Sequence, residues 1–229
     1  TFYMDNPDRV SVSSNDSTYL IQALDHYFPN ENHSIISSFA GLRPLVKSDQ
    51  KNPNAISRSH VVHVSPSGLI SVLGGKYTTY RKLAEDVVDL AALRLNNKTH
   101  CKTRDIGLKS TQYVPAVGVT AKQAAHILSN YSYGYSALLQ ILHEHPEEKE
   151  QICSQHPHLM GEITYAIQHE KAKKLEDWFY RRTSIAYSAC GGSDCVTQVA
   201  QKFAVLLNWD TSRCREEIQE YLKNVIRGH

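Results

Sequence analysis

Apolar positions in residues 1–74 alternate with polar ones or come in short runs, and turn residues separate the runs. That pattern predicts strands at 34–40, 60–64 and 69–73. The last two are joined through Pro66 and Gly68, at places where a turn uses a fixed and a permissive backbone respectively. One helix is predicted among the strands, at 17–28, with Tyr19, Leu20, Ala23, Leu24 and Tyr27 at helical spacing and Pro29 stopping it.

From Lys76 onward the period lengthens to about 3.6 residues. Tyr80, Leu83, Ala84, Val87, Val88, Ala91 and Leu95 make the stripe of a helix about five turns long. Residues 96–119 keep no period and are predicted as a linker between a first domain, 1–95, and a second, 120–229. Thr120 is the expected cap of a helix ending at Asn130, and a further helix, 135–143, stops before Pro146. A single long helix is predicted over 159–189, burying Ile163, Ala166, Ile167, Leu175, Trp178, Phe179, Ile185 and Ala186. Ser193 or Asp194 should open the next, with Val196, Val199, Ala200, Phe203, Leu206 and Leu207 inward. Asp210 or Thr211 should cap the last, which turns Ile218, Tyr221, Leu222 and Val225 inward. The predicted fold class is α+β, a strand-rich N-terminal part followed by an all-α C-terminal domain.

Composition narrows the function classes. Lys and Arg number 25 against 23 Asp and Glu, a net charge of +2, which leaves no basic footprint for nucleic acid. With 41% hydrophobic residues the chain can build a core, and no apolar run approaches the ~18 residues of a membrane-spanning helix. Five cysteines in no recognisable framework read as reduced thiols of a cytoplasmic protein. The chain opens on Thr1 without a Met or a leader, as a piece of something longer would.

The chemistry concentrates in three segments: 39–45 (FAGLRPL), 56–58 (ISR) and 74–81 (GGKYTTYR). In the last, two glycines end a predicted strand and a helix begins at once. Unpaired N–H groups and the helix dipole make such a start attractive to anions, and Gly74 and Gly75 permit close approach to the backbone. Lys76 at the positive end of the dipole suggests that negative charge comes from a ligand, although a solvated lysine beside a glycine turn is the simpler reading. Arg43, entering Pro44 at a strand end, suits a surface salt bridge or a bidentate grip on carboxylate or phosphate.

Together these segments resemble the C-terminal half of the FAD-dependent glycerol-3-phosphate dehydrogenases. That family's pattern is A-G-x-R-P-L, then S/T-R-x-H/Y, then a strand-turn-strand and G-G-K-x-T-T-Y-R-K-x-A-E; here Arg43 precedes Arg58 by 15 positions and Lys76 by 33. Residues 161–183 (GEITYAIQHEKAKKLEDWFYRRT) and 203–221 are also similar to family segments. Tyr77 stands where Trp is commoner, the run after Thr183 departs from the family's, and no G-x-G-x-x-G fingerprint is present. The resemblance implies that 1–95 is the end of a FAD- and substrate-binding domain. It implies that Arg43 fixes the substrate anion over the flavin, and that Arg58 and Lys76 add cationic contacts to its phosphate. Gly41, Leu42, Gly74, Gly75, Lys76, Thr78 and Thr79 would line the cofactor. The implied reaction is glycerol 3-phosphate to dihydroxyacetone phosphate, with electrons passing through FAD to a quinone or to oxygen. Peripheral attachment to the inner membrane face and a homodimer are compatible with it.

Other features invite blander readings. His143, His145, His156, His158 and Cys153 match no zinc spacing and read as solvated loop, so no metal is expected. Cys190 and Cys195, in C-x4-C spacing, read as a loop between helices. Glu170 suits a helix–helix ion pair, and Lys171, Lys173, Lys174, Arg181 and Arg182 a solvated basic face. The rival functions are a flavin amine oxidase relative, which would share the G-x-R-P arginine, and a helical interaction module.

Overall fold

The computed structural model of the chain describes residues 3, 6, 7, 10–43, 45, 46, 56–108 and 118–225. They gather into two compact units, Thr1–Ser11 with Ala40–Leu108, and Val12–Phe39 with Lys109–His229. Pro44 and residues 109–117 of the expected linker lie outside the described residues; 96–108 hold neither helix nor strand.

The first unit is a hairpin and a helix. Strands β1 (Val61–Val64) and β2 (Ile70–Leu73) pair antiparallel, Val61 opposite Leu73 and Val64 opposite Ile70. Gly68, at φ +88°, closes the turn by donating its N–H to Ser65 O at 2.9 Å. A single 3-10 turn, Tyr77–Thr79, leads into α2 (Tyr80–Arg94), numbered after a helix of the second unit. Two contacts lay α2 along the hairpin. Asp86 meets His60 Nε2 at 2.9 Å, and Arg94 donates to Gly68 O at 3.1 Å. The helix therefore starts at the open end of the hairpin and finishes at its turn.

The second unit begins with α1 (Ser14–Tyr27). It starts three residues before the periodicity suggests, because Ser13 and Asp16 form a reciprocal capping box. Tyr19, Leu20, Leu24 and Tyr27 on its stripe are exposed. The strand expected at 34–40 is absent. Among the described residues no strand lies beside it, so a ladder has no partner; instead Ser37 Oγ donates to Tyr187 O at 2.8 Å and the Phe39 ring sits 5.2 Å from that of Tyr187.

Next come α3 (Ala121–Asn130), capped by Thr120 in a box with Gln123, and α4 (Tyr135–Glu144). A short hairpin, β3 (Gln151–Cys153) and β4 (His156–Leu159), occupies part of what reads as loop in the sequence. The long helix expected over 159–189 is broken into α5 (Met160–Gln168), α6 (Leu175–Arg181) and a 3-10 turn, Ile185–Tyr187. Lys171 at φ +61° and Ser184 at φ +58° mark the breaks. Arg182 makes the first one tolerable: its guanidinium reaches the Glu170 carbonyl and carboxylate, each at 2.8 Å, which is the ion pair expected of Glu170. Thr183 Oγ1, bonded to Trp178 O at 3.1 Å, closes the end of α6. The apolar stripe survives the breaks: of the eight expected inward residues all but Ile167 are buried. Helices α7 (Val196–Leu207) and α8 (Thr211–Asn224) complete the unit, the latter capped by Asp210, which accepts from Arg213 N at 2.7 Å. The α+β class holds, with the second part mostly helical.

Burial is very uneven. Apart from Ile56, every buried residue described falls between Gln123 and Tyr221, around Trp178, Phe179, Phe203 and Tyr221 on one side and Ile127, Tyr135 and Leu138 on another. Hydrophobic burial is the main stabilising term, so the slowest-exchanging amides should lie in α7 and α5. Hydrogen exchange slower in 61–73 than in 196–207 would contradict that ordering.

Candidate functional site

The pairing of Val61 with Leu73 places the chain entering β1 and the chain leaving β2 at one end of the hairpin. Arg58 lies three residues before that end and Lys76 three after it. A third segment joins them: a Cβ on Gly74 would stand 3.2 Å from both Ser59 O and Val46 Cγ2. Arg43, three residues from Val46, is thus within about 11 Å of that point at full chain extension. The fold brings the three sequence motifs together, with Arg43, Arg58 and Lys76 all exposed.

Local backbone explains the glycines. Gly74 and Gly75 have φ of +70° and +105°, and a Cβ on Gly75 would come within 3.0 Å of Leu83 Cδ1. Gly41 is different. It has no positive φ, and among the described residues nothing lies within 4 Å of where its Cβ would stand. Neighbouring Leu42 is exposed.

The helix start is uncapped by any side chain from Lys76 or Thr79, and no acidic residue stands in its first turn. Thr79 Oγ1 donates to Lys76 O at 3.1 Å and Thr79 N to the same oxygen at 3.0 Å, so the hydroxyl tightens the turn while Thr78 and Tyr77 stay exposed. The next cations are neutralised. Arg81 pairs with Glu85, and Lys82 with Asp86 at 2.8 Å and Glu85 at 3.3 Å. Lys82 first and His60 second hold the Asp86 carboxyl below its usual range. Among the described residues Arg43, Arg58 and Lys76 enter no such pair. Cations that pair with no described carboxylate, near a helix start that no side chain of Lys76 or Thr79 caps, form a surface suited to an anion.

A second constellation, invisible in the sequence, lies in the helical unit. Glu162 is fully buried, and its Oε2 accepts from Tyr131 OH at 2.7 Å, His158 Nδ1 at 2.7 Å and His126 Nε2 at 3.0 Å, while Oε1 takes the Leu159 N–H at 2.7 Å. Asn130 Nδ2 at 3.1 Å from His126 Nδ1 sets the tautomer that donates from Nε2. Burial by itself would raise the Glu162 pKa; the hydrogen bonds from His126 and His158 outweigh it and hold the carboxyl at about 2. Burial, then the Glu162 charge, pushes the Tyr131 hydroxyl upward. His158 is therefore not solvated, as its loop-like sequence suggested, but a buried partner of a carboxylate. The network ties α3 to β4 and α5, and its sequence signal is slight, a Glu at the third position of a helix that begins after Leu159.

Residues 70–214, from β2 to the first turn of α8, match the family described as the C-terminal domain of alpha-glycerophosphate oxidase. The chain belongs to that family. Among relatives of this C-terminal domain family, the aerobic glycerol-3-phosphate dehydrogenase of Staphylococcus haemolyticus is 29% identical over 257 residues, covering 100% of this chain and 46% of its own length. The enzyme of the same name from Bacillus subtilis is 30% identical, over 80% of this chain and 37% of its own. The mitochondrial glycerol-3-phosphate dehydrogenase of Rattus norvegicus is 31% identical, over 81% and 28%. The solved glycerol-3-phosphate dehydrogenase of Bacillus halodurans, complexed with FAD, superposes with a TM-score of 0.71 at 25% identity, covering 98% of this chain and 47% of that one. The chain thus spans less than half the length of these relatives. No helix among the described residues is long and apolar enough to cross a membrane.

Proposed function

We propose that this chain forms the C-terminal part of a FAD-dependent glycerol-3-phosphate dehydrogenase, which oxidises sn-glycerol 3-phosphate to dihydroxyacetone phosphate and passes electrons to a quinone. The observation that carries this reading is the approach of Gly74 to Ser59 and Val46 at one end of the hairpin, which draws the Arg43, Arg58 and Lys76 segments toward one another. The chain's family is that of the alpha-glycerophosphate oxidase C-terminal domain, and its relatives are glycerol-3-phosphate dehydrogenases. The residues fit a flavin edge. Gly41 is small without any need from its own packing, and the Gly74–Gly75 backbone carries no side chain in front of an uncapped helix start.

FAD, when bound, supplies the hydride acceptor. This chain's residues do the rest. Arg43 grips the anionic, hydroxyl-bearing substrate bidentately and sets its C2 hydrogen toward the cofactor. Arg58 and Lys76 neutralise its phosphate. The N–H groups at the start of the 77–94 helix would stabilise negative charge on the reduced cofactor. Residues 1–95 belong to the catalytic domain in this reading, and 120–229 form the helical domain that follows it. A peripheral position on a membrane and a dimer fit delivery of electrons to a quinone.

The test compares the chain alone with a protein that carries it after a FAD-binding half. Alone, it should neither hold FAD stoichiometrically nor turn over, because the positive groups face water without the dinucleotide-binding contacts. The longer protein should be yellow and should reduce a soluble quinone in the presence of glycerol 3-phosphate. Bound FAD without that reduction overturns the substrate assignment, and an isolated chain that is yellow and active overturns the division of labour.

A further inference from the structure

We propose that Cys153, His156 and Cys190, completed by Cys195 or Asp194, form a zinc-binding site that staples the β3–β4 hairpin to the loop before α7. Neither the family nor the oxidation of glycerol 3-phosphate calls for such a site. The donor atoms of Cys153, His156 and Cys190 lie within 4.8 Å of one another, and those of Cys153, Asp194 and Cys195 do so as well. Cys153 belongs to both groups. A tetrahedral zinc with bonds of about 2.3 Å to sulfur and 2.0–2.1 Å to nitrogen separates neighbouring S and N ligands by about 3.5 Å. Cys190 Sγ and His156 Nε2 are 3.5 Å apart.

The surroundings are arranged as a ligand shell. Cys153 and His156 flank the two-residue turn of the hairpin, a C-x2-H spacing, and Cys190 and Cys195 bracket the facing loop. That loop is rigid by construction. Gly191 and Gly192 take φ of +53° and +66°; Tyr221 OH donates to Gly191 O at 2.8 Å; and a Cβ on Gly192 would stand 2.5 Å from Phe179 Cε1. The Gly192 N–H points to Cys190 Sγ at 3.4 Å, the kind of outer-shell donor that steadies a metal thiolate. Ser188 Oγ, 3.0 Å from His156 Nε2 and 3.3 Å from Cys190 Sγ, fills the place between two ligands. Asp194 Oδ2 accepts from Cys153 Sγ at 3.1 Å.

His126, His158 and Glu162 also lie close enough together to hold a metal. That trio is already satisfied: Glu162 uses both oxygens on four donors, and a metal would displace those bonds. The cysteine cluster has one bond between neutral groups, His156 to Ser188, and otherwise weak thiol contacts to lose, and soft sulfur with imidazole favours zinc over magnesium or calcium. Binding releases the thiol protons and joins two segments that are otherwise held by packing and a few hydrogen bonds.

The experiment uses the whole chain, purified from zinc-supplemented cells and desalted. Metal analysis should find about one zinc per chain. The zinc should survive Cys101→Ser, whose thiol lies in the other unit, and fall to background in Cys190→Ser and in His156→Gln. Cys195→Ser against Asp194→Asn identifies the fourth ligand. Cobalt substitution should give the intense visible bands and thiolate charge transfer of a tetrahedral sulfur site. Circular dichroism checks each variant, and His156→Gln carries the test should Cys190→Ser fail to fold. Background zinc in the unaltered chain, zinc unchanged in both variants, or fewer than five titratable thiols in denatured, unreduced protein (a disulfide within the cluster) overturns the proposal.

Discussion

Arg43→Ala, in a protein that carries this chain after a FAD-binding half, is expected to lower kcat/KM by about two to three decades while FAD content stays near that of the unaltered protein. In the proposed site the substitution removes charge-assisted hydrogen bonds to the substrate anion, a loss of roughly 2–5 kcal/mol when the partner charge remains buried. FAD retention follows from the geometry: the helix start at Lys76–Thr79 is built by Gly74, Gly75 and the Thr79–Lys76 bonds, none of which involves Arg43. Arg43→Lys should restore only part of the rate, because an ammonium cannot reproduce the two parallel bonds of a guanidinium. A surface salt bridge would give the opposite pattern, with a lower melting temperature and kcat/KM nearly intact. Measuring both on one preparation separates the two.

Glu162→Gln should cost about 3–5 kcal/mol of folding stability, the range for removing one member of a buried charged network. The amide nitrogen would face donors, leaving two or more of Tyr131 OH, His126, His158 and the Leu159 N–H without an acceptor. For a chain of this size that is a fall of about 6–20 °C in Tm. A loss below about 1 kcal/mol would show that the network is not a stabilising element. The same carboxylate gives an acid limb. Its pKa is depressed in the fold, to about 2, so its contribution is complete above its unfolded value near 4.5 and is lost as the pH falls from there toward 2. The shift corresponds to ~3 kcal/mol. Urea midpoints measured across that window should converge for the Gln variant and the unaltered chain, and midpoints that stay equally far apart at low pH would count against the assignment.

The sequence made some of this architecture legible and hid other parts for identifiable reasons. The 60–64 and 69–73 strands and the 77–94 helix were readable because alternation, turn chemistry and a clean stripe agreed. Residues 34–40 carry short apolar runs of strand length as well, but a strand needs a neighbour, and the local pattern alone does not say whether one exists. The break of the 159–189 helix escaped because Lys171 and Ser184 carry no backbone signal; the interactions that permit the break, Arg182 to Glu170 and Thr183 to Trp178, come from side chains that look like an ordinary polar face. The three site motifs were readable as sequence, while their convergence needed the Val61–Leu73 register. Glu162 and the Cys153–His156–Cys190 cluster were hidden because their members come from segments up to 37 positions apart that only folding assembles.

Among the described residues burial falls, Ile56 apart, within 123–221, and this has a consequence for how the chain tolerates change. A saturation library scored for the amount of folded protein should register its losses almost entirely in the helical unit. The same library, carried after a FAD-binding half and scored for turnover, should add a second block of losses in 40–81, at exposed positions such as Arg43, Arg58 and Lys76 that the abundance screen passes as neutral. Drift in that stretch would leave the protein plentiful while its chemistry changed, which makes the 40–81 stretch the natural ground for new substrate preferences and the helical unit the constant framework beneath them.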